Sequence, residues 1–203
     1  MSPQHEFKTI ETGAKDLVYK EKGSKFIGYA KHVKDSQEAL SFFDTLKTQH
    51  QNANHCCYAY RLGPEGLETR ANDDGEPSHS AGTPILGQIQ SFGLTNTALA
   101  VVRYFGGTKL GVGGLVKAYK TTAQLTLEAS EFKNHLIYKK AELHFDYADI
   151  GLAMRWLKQG GFQITQQDID QKCKIQCLVP TSLISSSIEF WKNYRNVNLK
   201  LLE

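Results

Sequence analysis

The sequence contains no apolar run near the roughly eighteen residues a membrane-spanning helix requires, and its first ten residues, MSPQHEFKTI, lack the apolar core of a secretory leader. These absences argue against membrane insertion and set the expectation of a cytoplasmic protein. Cysteine is scarce: there are four in 203 residues, the adjacent pair Cys56-Cys57 and the pair Cys173 and Cys177, none with CxxC spacing. A chain of this length needs no disulfide staples, so reduced thiols are expected. A strong excess of one charge is missing too. Twenty-four Lys and Arg against 21 Asp and Glu leave a formal net charge of +3, which permits a nucleic-acid partner without demanding one. No internal repeat or low-complexity tract is present.

What is there is the composition of an ordinary globular protein, 40% hydrophobic and 22% charged, long enough for one large or two small domains with buried cores. Residues 1–15 are polar and read as a fraying end. From Leu17 to Val33 two strands hinge at Lys22-Gly23. Asp35 offers an N-cap with Glu38 three residues on, opening a helix to about Gln49 that buries Ala39, Leu40, Phe43 and Leu46. A strand follows over His55–Leu62, its period of two placing His55, Cys57 and Ala59 on one face and Cys56, Tyr58 and Tyr60 on the other. A short strand near Leu67–Ala71 leads into the polar loop NDDGEPSHSAGTP. Thr83 can cap the next helix with Pro84 at its first position, and that helix stops at Gly93.

Thr97–Tyr104 (TALAVVRY) is an apolar strand, followed by glycines and then a helix starting after Gly114 and reaching about Glu131. Its residues Leu115, Tyr119, Thr122 and Thr126 share one face, and Lys117, Lys120, Gln124 and Glu128 another. A boundary falls around Phe132–Asn134, giving domains 1–133 and 134–203. Beyond it the order is strand His135–Asp146, helix Ala148–Gln159, strands Phe162–Gln167 and Lys172–Val179, helix Ser182–Tyr194, strand Val197–Leu202. That is βαββαβ, the ferredoxin-like arrangement, so the fold class is α+β.

The segment Ala100–Lys120 carries the densest signal. Gly106, Gly107, Gly111, Gly113 and Gly114 leave backbone open to close approach, the following helix start can hold an anion, and Arg103, Lys109, Lys117 and Lys120 surround it. It is not a Walker A loop, because Val112 stands where lysine must be. Nor is it a dinucleotide fingerprint, because Val116 holds the last glycine position. A generic phosphate cradle and a purely structural turn both remain open.

The acidic loop Asp73, Asp74, Glu76 with His79 invites a metal reading, yet no second cluster completes a ligand set, so no metal and no cofactor is expected. Loop carboxylates of this kind also serve as turn and cap residues. His55 beside Cys57 suggests a base and nucleophile, but a core strand accounts for both. Cys173 and Cys177 alternate with polar residues and read as small core hydrophobes.

The segments DDGEPSHSAGTPIL (73–86) and VVRYFGGTKLGVGGLVKAY (101–119), with KGSKFIGYA (22–30) and the His55-x-Cys57-x-Ala59 strand, closely resemble the IMPACT family, in particular its bacterial YigZ-like members. The resemblance covers nearly the whole chain. It implies a first domain with the βαβ fold shared by a small-subunit ribosomal protein domain and the fourth domain of elongation factor G. It implies a second, ferredoxin-like domain similar to that factor's fifth domain. Eukaryotic relatives act in translational control through an additional N-terminal protein-binding domain that this chain lacks, so that route is not expected here.

Three readings follow. The first is a non-enzymatic, translation-associated binder of RNA, the ribosome or a translation-related partner. Its binding residues would be Arg103, Gly106, Gly107, Lys109, Gly111, Gly113, Gly114, Lys117 and Lys120, with Asp73, Asp74, Glu76 and His79 shaping the cleft. The second is a hydrolase or phosphotransferase using the glycine loop with Asp73, Asp74 or Glu76. The third is a protein-interaction module presenting the ferredoxin-like sheet. No catalytic residue is assigned.

Overall fold

The apolar strand TALAVVRY pairs with the second strand of the Lys22-Gly23 hairpin. In the computed structural model, which describes residues 5–202, β3 (Ser24–His32) pairs antiparallel along its length with β6 (Thr97–Tyr104), from Lys25 opposite Tyr104 to His32 opposite Thr97. β2 (Leu17–Glu21) reaches β3 through Lys22 and Gly23, whose φ of 44° and 81° give the doubly left-handed turn that matches strand twist. β4 (His55–Leu62) lies on the other side of β6, and β5 (Glu68–Asn72) closes the five-stranded antiparallel sheet in the order β2-β3-β6-β4-β5.

Helices cover both faces, which is why TALAVVRY shows no polar alternation. Phe26, Ala30, Cys57, Ala59, Leu99 and Val101 form a core with Ile85 and Ile89 of α2 (Gly82–Ser91) and Leu115, Ala118 and Tyr119 of α3 (Gly111–Glu128). On the opposite face Ile27, Tyr29, Cys56, Tyr58, Tyr60, Ala98 and Val102 pack with Ala39, Phe43 and Leu46 of α1 (Ser36–Gln49). The two faces of β4 are those its period of two predicts. Asp35 caps α1 by accepting the Glu38 N–H at 2.8 Å, while the Glu38 carboxylate reaches the Lys34 N–H at 3.1 Å, one residue before the cap.

Four expectations need correction. The segment read as a fraying end holds a strand, β1 (Glu6–Thr12), because Thr9 and Ile10 are fully buried; it pairs with β7 (Glu131–Leu136), and residues 1–4 lie outside the described residues. Helix α2 starts at Gly82 rather than after Thr83. Helix α3 starts at Gly111, so Gly113 and Gly114 are helical, and it ends at Glu128. The single strand expected over 135–146 is two, β7 and β8 (Tyr138–Asp146).

The chain divides into two compact units, one comprising Phe7–His135 and the other taking Glu6 and the residues from Leu136 on. The latter runs β8, α4 (Ile150–Gln159), β9 (Gln163–Asp168), β10 (Lys172–Pro180), α5 (Ile184–Trp191), β11 (Asn198–Leu201). Its antiparallel sheet has the order β11-β8-β10-β9, completing a ferredoxin-like fold. Ala141, Leu143, Phe145, Cys173, Ile175 and Cys177 meet Ala153, Leu157 and Trp191 in its core. Both cysteines are thus small hydrophobes, and burial pushes the Cys177 thiol up to about 11. The other sheet face carries Glu142, His144, Lys174 and Gln176. No helix among the described residues is long and apolar enough to cross a membrane.

Candidate functional site

The loop after β5 is organised by its two aspartates. Asp73 Oδ1 accepts the N–H groups of Ala81 and Gly82 at 2.9 and 2.8 Å, and its Oδ2 accepts that of His79 at 2.9 Å. The cap of α2 is therefore supplied from eight residues upstream of Ala81, a position that itself has no capping side chain. Partial burial pushes the Asp73 carboxyl up, and the three amides outweigh it, leaving it below its ordinary value. Asp74 accepts the Cys56 N–H at 2.7 Å and pairs with Lys47 at 2.8 Å; burial again works against Lys47 and the amide, which prevail. Both carboxylates are thus engaged in holding the loop. Left-handed backbone at Asp74 (φ 45°) and Gly75 (φ 87°) then turns the chain so that Glu76 points inward.

Glu76 and Arg103 form the centre of the site. Glu76 Oε1 accepts from Arg103 Nη1 at 2.6 Å and from the Tyr119 hydroxyl at 2.8 Å, and His55 Nε2 stands 3.9 Å away. The two ion-pair side chains are 4% and 7% exposed, so this charge pair is desolvated and needs all its hydrogen bonds. The Arg103 side of the bargain is incomplete. Its Nη2 is 3.5 Å from Ser24 Oγ, and its buried Nε has no partner. The guanidinium carbon lies 5.5 Å from the Phe26 ring and 5.6 Å from the Phe105 ring.

Strand pairing sets His55 directly opposite Arg103. Its Nδ1 lies 2.8 Å from the Asp74 carbonyl oxygen, which can only accept, so Nδ1 carries the proton and Nε2 offers a lone pair when the ring is neutral. Cys57, two residues on, points into the core instead, with Sγ 3.0 Å from the Asp73 carbonyl and 3.3 Å from the Tyr119 hydroxyl. Burial drives its thiol far above the ordinary range, and drives Cys56 up to about 12, so neither is a nucleophile.

The loop from Phe105 to Leu110 borders these groups. The Phe105 N–H donates to Asn54 Oδ1 at 2.7 Å and the Gly106 N–H to Ser24 Oγ at 3.1 Å. A Cβ at Gly106 would overlap the Gly23 carbonyl, so only glycine permits this crossing of the β2–β3 turn. Helix α3 then begins with Gly111 at φ 71°, without a side-chain cap and without an acidic residue in its first turn.

Together these groups line a pocket of about 380 Å³: Asn54, His55, Glu76, Pro77, Arg103, Phe105, Lys109 and Leu110, with Gly111, Val112 and Leu115 of α3. A larger cleft of about 830 Å³ runs along α1, but its inner polar groups satisfy one another through Asp16–Tyr29–His50–Tyr104 hydrogen bonds of 2.6, 2.7 and 2.9 Å. The smaller pocket, with an unsatisfied buried donor, is the better candidate.

Of the residues nominated from sequence, Arg103, Lys109, Gly111 and Glu76 line it. Asp73 and Asp74 support it from behind, and His79 is exposed, its ring 3.2 Å from Thr83 Oγ1. Gly106 and Gly107 shape the loop, and Gly113 and Gly114 lie in the first turn of α3. Lys117 and Lys120 are exposed on α3 beyond the lining. Sequence reasoning did not nominate Asn54 and read His55 as a core-strand residue or, with Cys57, as a base; the β4–β6 register brings both to Arg103. Among the described residues no group of three or more His, Cys, Asp or Glu side chains is placed to hold a metal.

The profile of the Impact N-terminal domain matches residues 22–127. IMPACT family member YvyE of Bacillus subtilis is 33% identical over 175 residues, covering 86% of this chain and 80% of that protein. IMPACT family member YigZ of Escherichia coli is 38% identical over 51% of this chain and 52% of that one. A crystal structure of a hypothetical protein overlays on 99% of each chain with a TM-score of 0.77 and 25% sequence identity.

Proposed function

The chain belongs to the IMPACT family, and on that premise we propose that it is a non-enzymatic, translation-associated binder whose 7–135 unit holds a phosphate-bearing partner, RNA or the ribosome, at the start of α3. One observation carries this reading: a guanidinium 7% exposed, with its Nε–H unpartnered, lines a pocket that also holds an uncapped helix N-terminus and Lys109. A buried donor without an acceptor is costly, and an anion beside it relieves that cost. The helix N-terminus adds amide donors and a partial positive charge. Glu76 does not oppose the anion strongly, because Arg103 and Tyr119 already hold its Oε1. Lys117 and Lys120, three apart on the exposed face of α3, extend the positive surface for neighbouring phosphates. The link to translation rests on the resemblance of this α+β architecture to ribosomal-protein and elongation-factor domains, which is an analogy of fold.

The test is binding of RNA and of ribosomes across a salt series. Affinity should fall steeply as salt rises, since phosphate contacts release counterions. Lys117→Ala and Lys120→Ala should each lower the slope of log K against log salt by about one without altering sequence preference. Absence of any salt-sensitive association at low ionic strength would sink the proposal. An association that survives ribonuclease digestion would point instead to a protein partner.

A further inference from the structure

Phosphate binding leaves half of the pocket without a purpose. Its rim is apolar and exposed: Phe105 is 47% and Val112 57% accessible, with Leu110 and Pro77 beside them. The fold holds Phe105 in place. Asn54 accepts the Phe105 N–H at 2.7 Å, and the Asn54 N–H donates to the Arg103 carbonyl at 2.9 Å. The next residue is pinned through Ser24 at a crossing that only glycine permits. The ring lies 5.6 Å from the Arg103 guanidinium, so an aromatic surface and the unpartnered Nε–H belong to one unit. Exposed aromatics on rigid backbone beside cationic groups are the platforms on which nucleic-acid bases stack.

Resting on the phosphate reading above, we propose that the pocket takes one nucleoside phosphate monoester, either a free nucleotide or the phosphorylated end of an RNA strand. The phosphate lies at the start of α3 between Lys109 and the Arg103 Nε–H, and the base lies against Phe105. His55, with Nδ1–H held by the Asp74 carbonyl, presents Nε2 as an acceptor for a sugar hydroxyl. Two features favour a terminus over the middle of a strand. The volume, about 380 Å³, is near the lower end for small-molecule sites and suits one nucleotide rather than a chain that must enter and leave. A phosphate monoester also carries about −1.5 to −2 at neutral pH, which uses the ammonium, the guanidinium edge and the helix amides more fully than a singly charged diester.

Equilibrium binding at low salt to short RNAs with a 5′-phosphate, a 3′-phosphate or hydroxyls at both ends, to 5′-AMP and to inorganic phosphate tests this. One phosphorylated end, or AMP, should bind about tenfold or more tightly than the hydroxyl-ended strand or inorganic phosphate. Phe105→Ala should weaken it about tenfold and Phe105→Trp should retain it. Val112→Asp should abolish phosphate discrimination while leaving the fold intact, because an acid in the first helical turn favours the helix yet repels the ligand. This variant serves if Phe105→Ala lowers the melting temperature. RNA binding indifferent to terminal phosphate and to Phe105→Ala overturns the inference and leaves the RNA reading standing. AMP binding without RNA or ribosome association supports the inference, identifies the free nucleotide as the source, and overturns the RNA reading. Inorganic phosphate bound as tightly as AMP overturns the nucleoside, and no binding by any probe overturns both.

Discussion

Two carboxylates, Glu76 in the 7–135 unit and Glu142 in the ferredoxin-like unit, each gather cations and donors, but to different ends. Glu142 lies on the open sheet face, where it accepts from His144 at 2.6 Å, Gln176 at 3.1 Å and Lys174 at 2.7 Å. The Lys174 hydrogen bond leads in holding its carboxyl down to about 2, aided by Gln176 and His144. That cluster is closed: its donors converge on the carboxylate, whose side chain is 11% exposed. Glu76 is buried too, at 4% side-chain exposure, but its guanidinium partner keeps a donor over. We infer that the saturated cluster on the sheet face serves stability, and that the desolvated pair with a surplus donor beside a pocket serves a ligand.

Removing each carboxylate breaks the comparison most forcefully. Glu76→Ala leaves Arg103 buried and uncompensated and should cost about 3–5 kcal/mol in urea or thermal unfolding. Glu142→Gln should cost distinctly less. Replacing the whole pair, Glu76→Leu with Arg103→Met, should recover most of the stability lost in Glu76→Ala, since apolar residues of similar size replace buried ion pairs well. The same double variant should lose anion binding, which separates the structural role of the pair from its ligand role.

A smaller loss, about 1–2 kcal/mol, should follow Asp73→Ala, which uncaps α2 and loosens the loop that delivers Glu76. Tyr119→Phe removes one donor to Glu76 and should cost about 1 kcal/mol, with the core otherwise unchanged. The smallest effect is one of pH. Because the Glu142 carboxyl is held below its unfolded value of about 4.3, its contribution is complete above that pH and lost as pH falls toward about 2. Glu142→Gln should therefore flatten acid unfolding between roughly pH 4 and 2, measured as melting temperature against pH. An unchanged acid profile would show that the cluster contributes nothing.

Much of this was legible in the sequence because the signals were local. The period of two over His55–Leu62, the Lys22-Gly23 hinge, the Asp35 cap and the βαββαβ order each follow from short-range pattern, and each is found. The start of α2 was misplaced because its cap comes from Asp73, too far along the chain for any capping rule. The glycine segment was half legible: Gly111 with Lys109 lines the pocket, but Gly113 and Gly114 are helical and Gly106 serves a chain crossing. Asn54 escaped notice because the β4–β6 register, rather than any motif, brings it to Arg103.

The central claim is that the unpartnered Arg103 Nε–H belongs to a ligand. Nitrogen-15 NMR of the arginine Nε–H groups, followed while 5′-AMP or 5′-phosphorylated RNA is added at low salt, addresses it directly. The account predicts that the Arg103 resonance moves downfield and its exchange with water slows on saturation, and that Lys109→Ala weakens the response. An Arg103 resonance that stays unchanged while ligand binds elsewhere would contradict it.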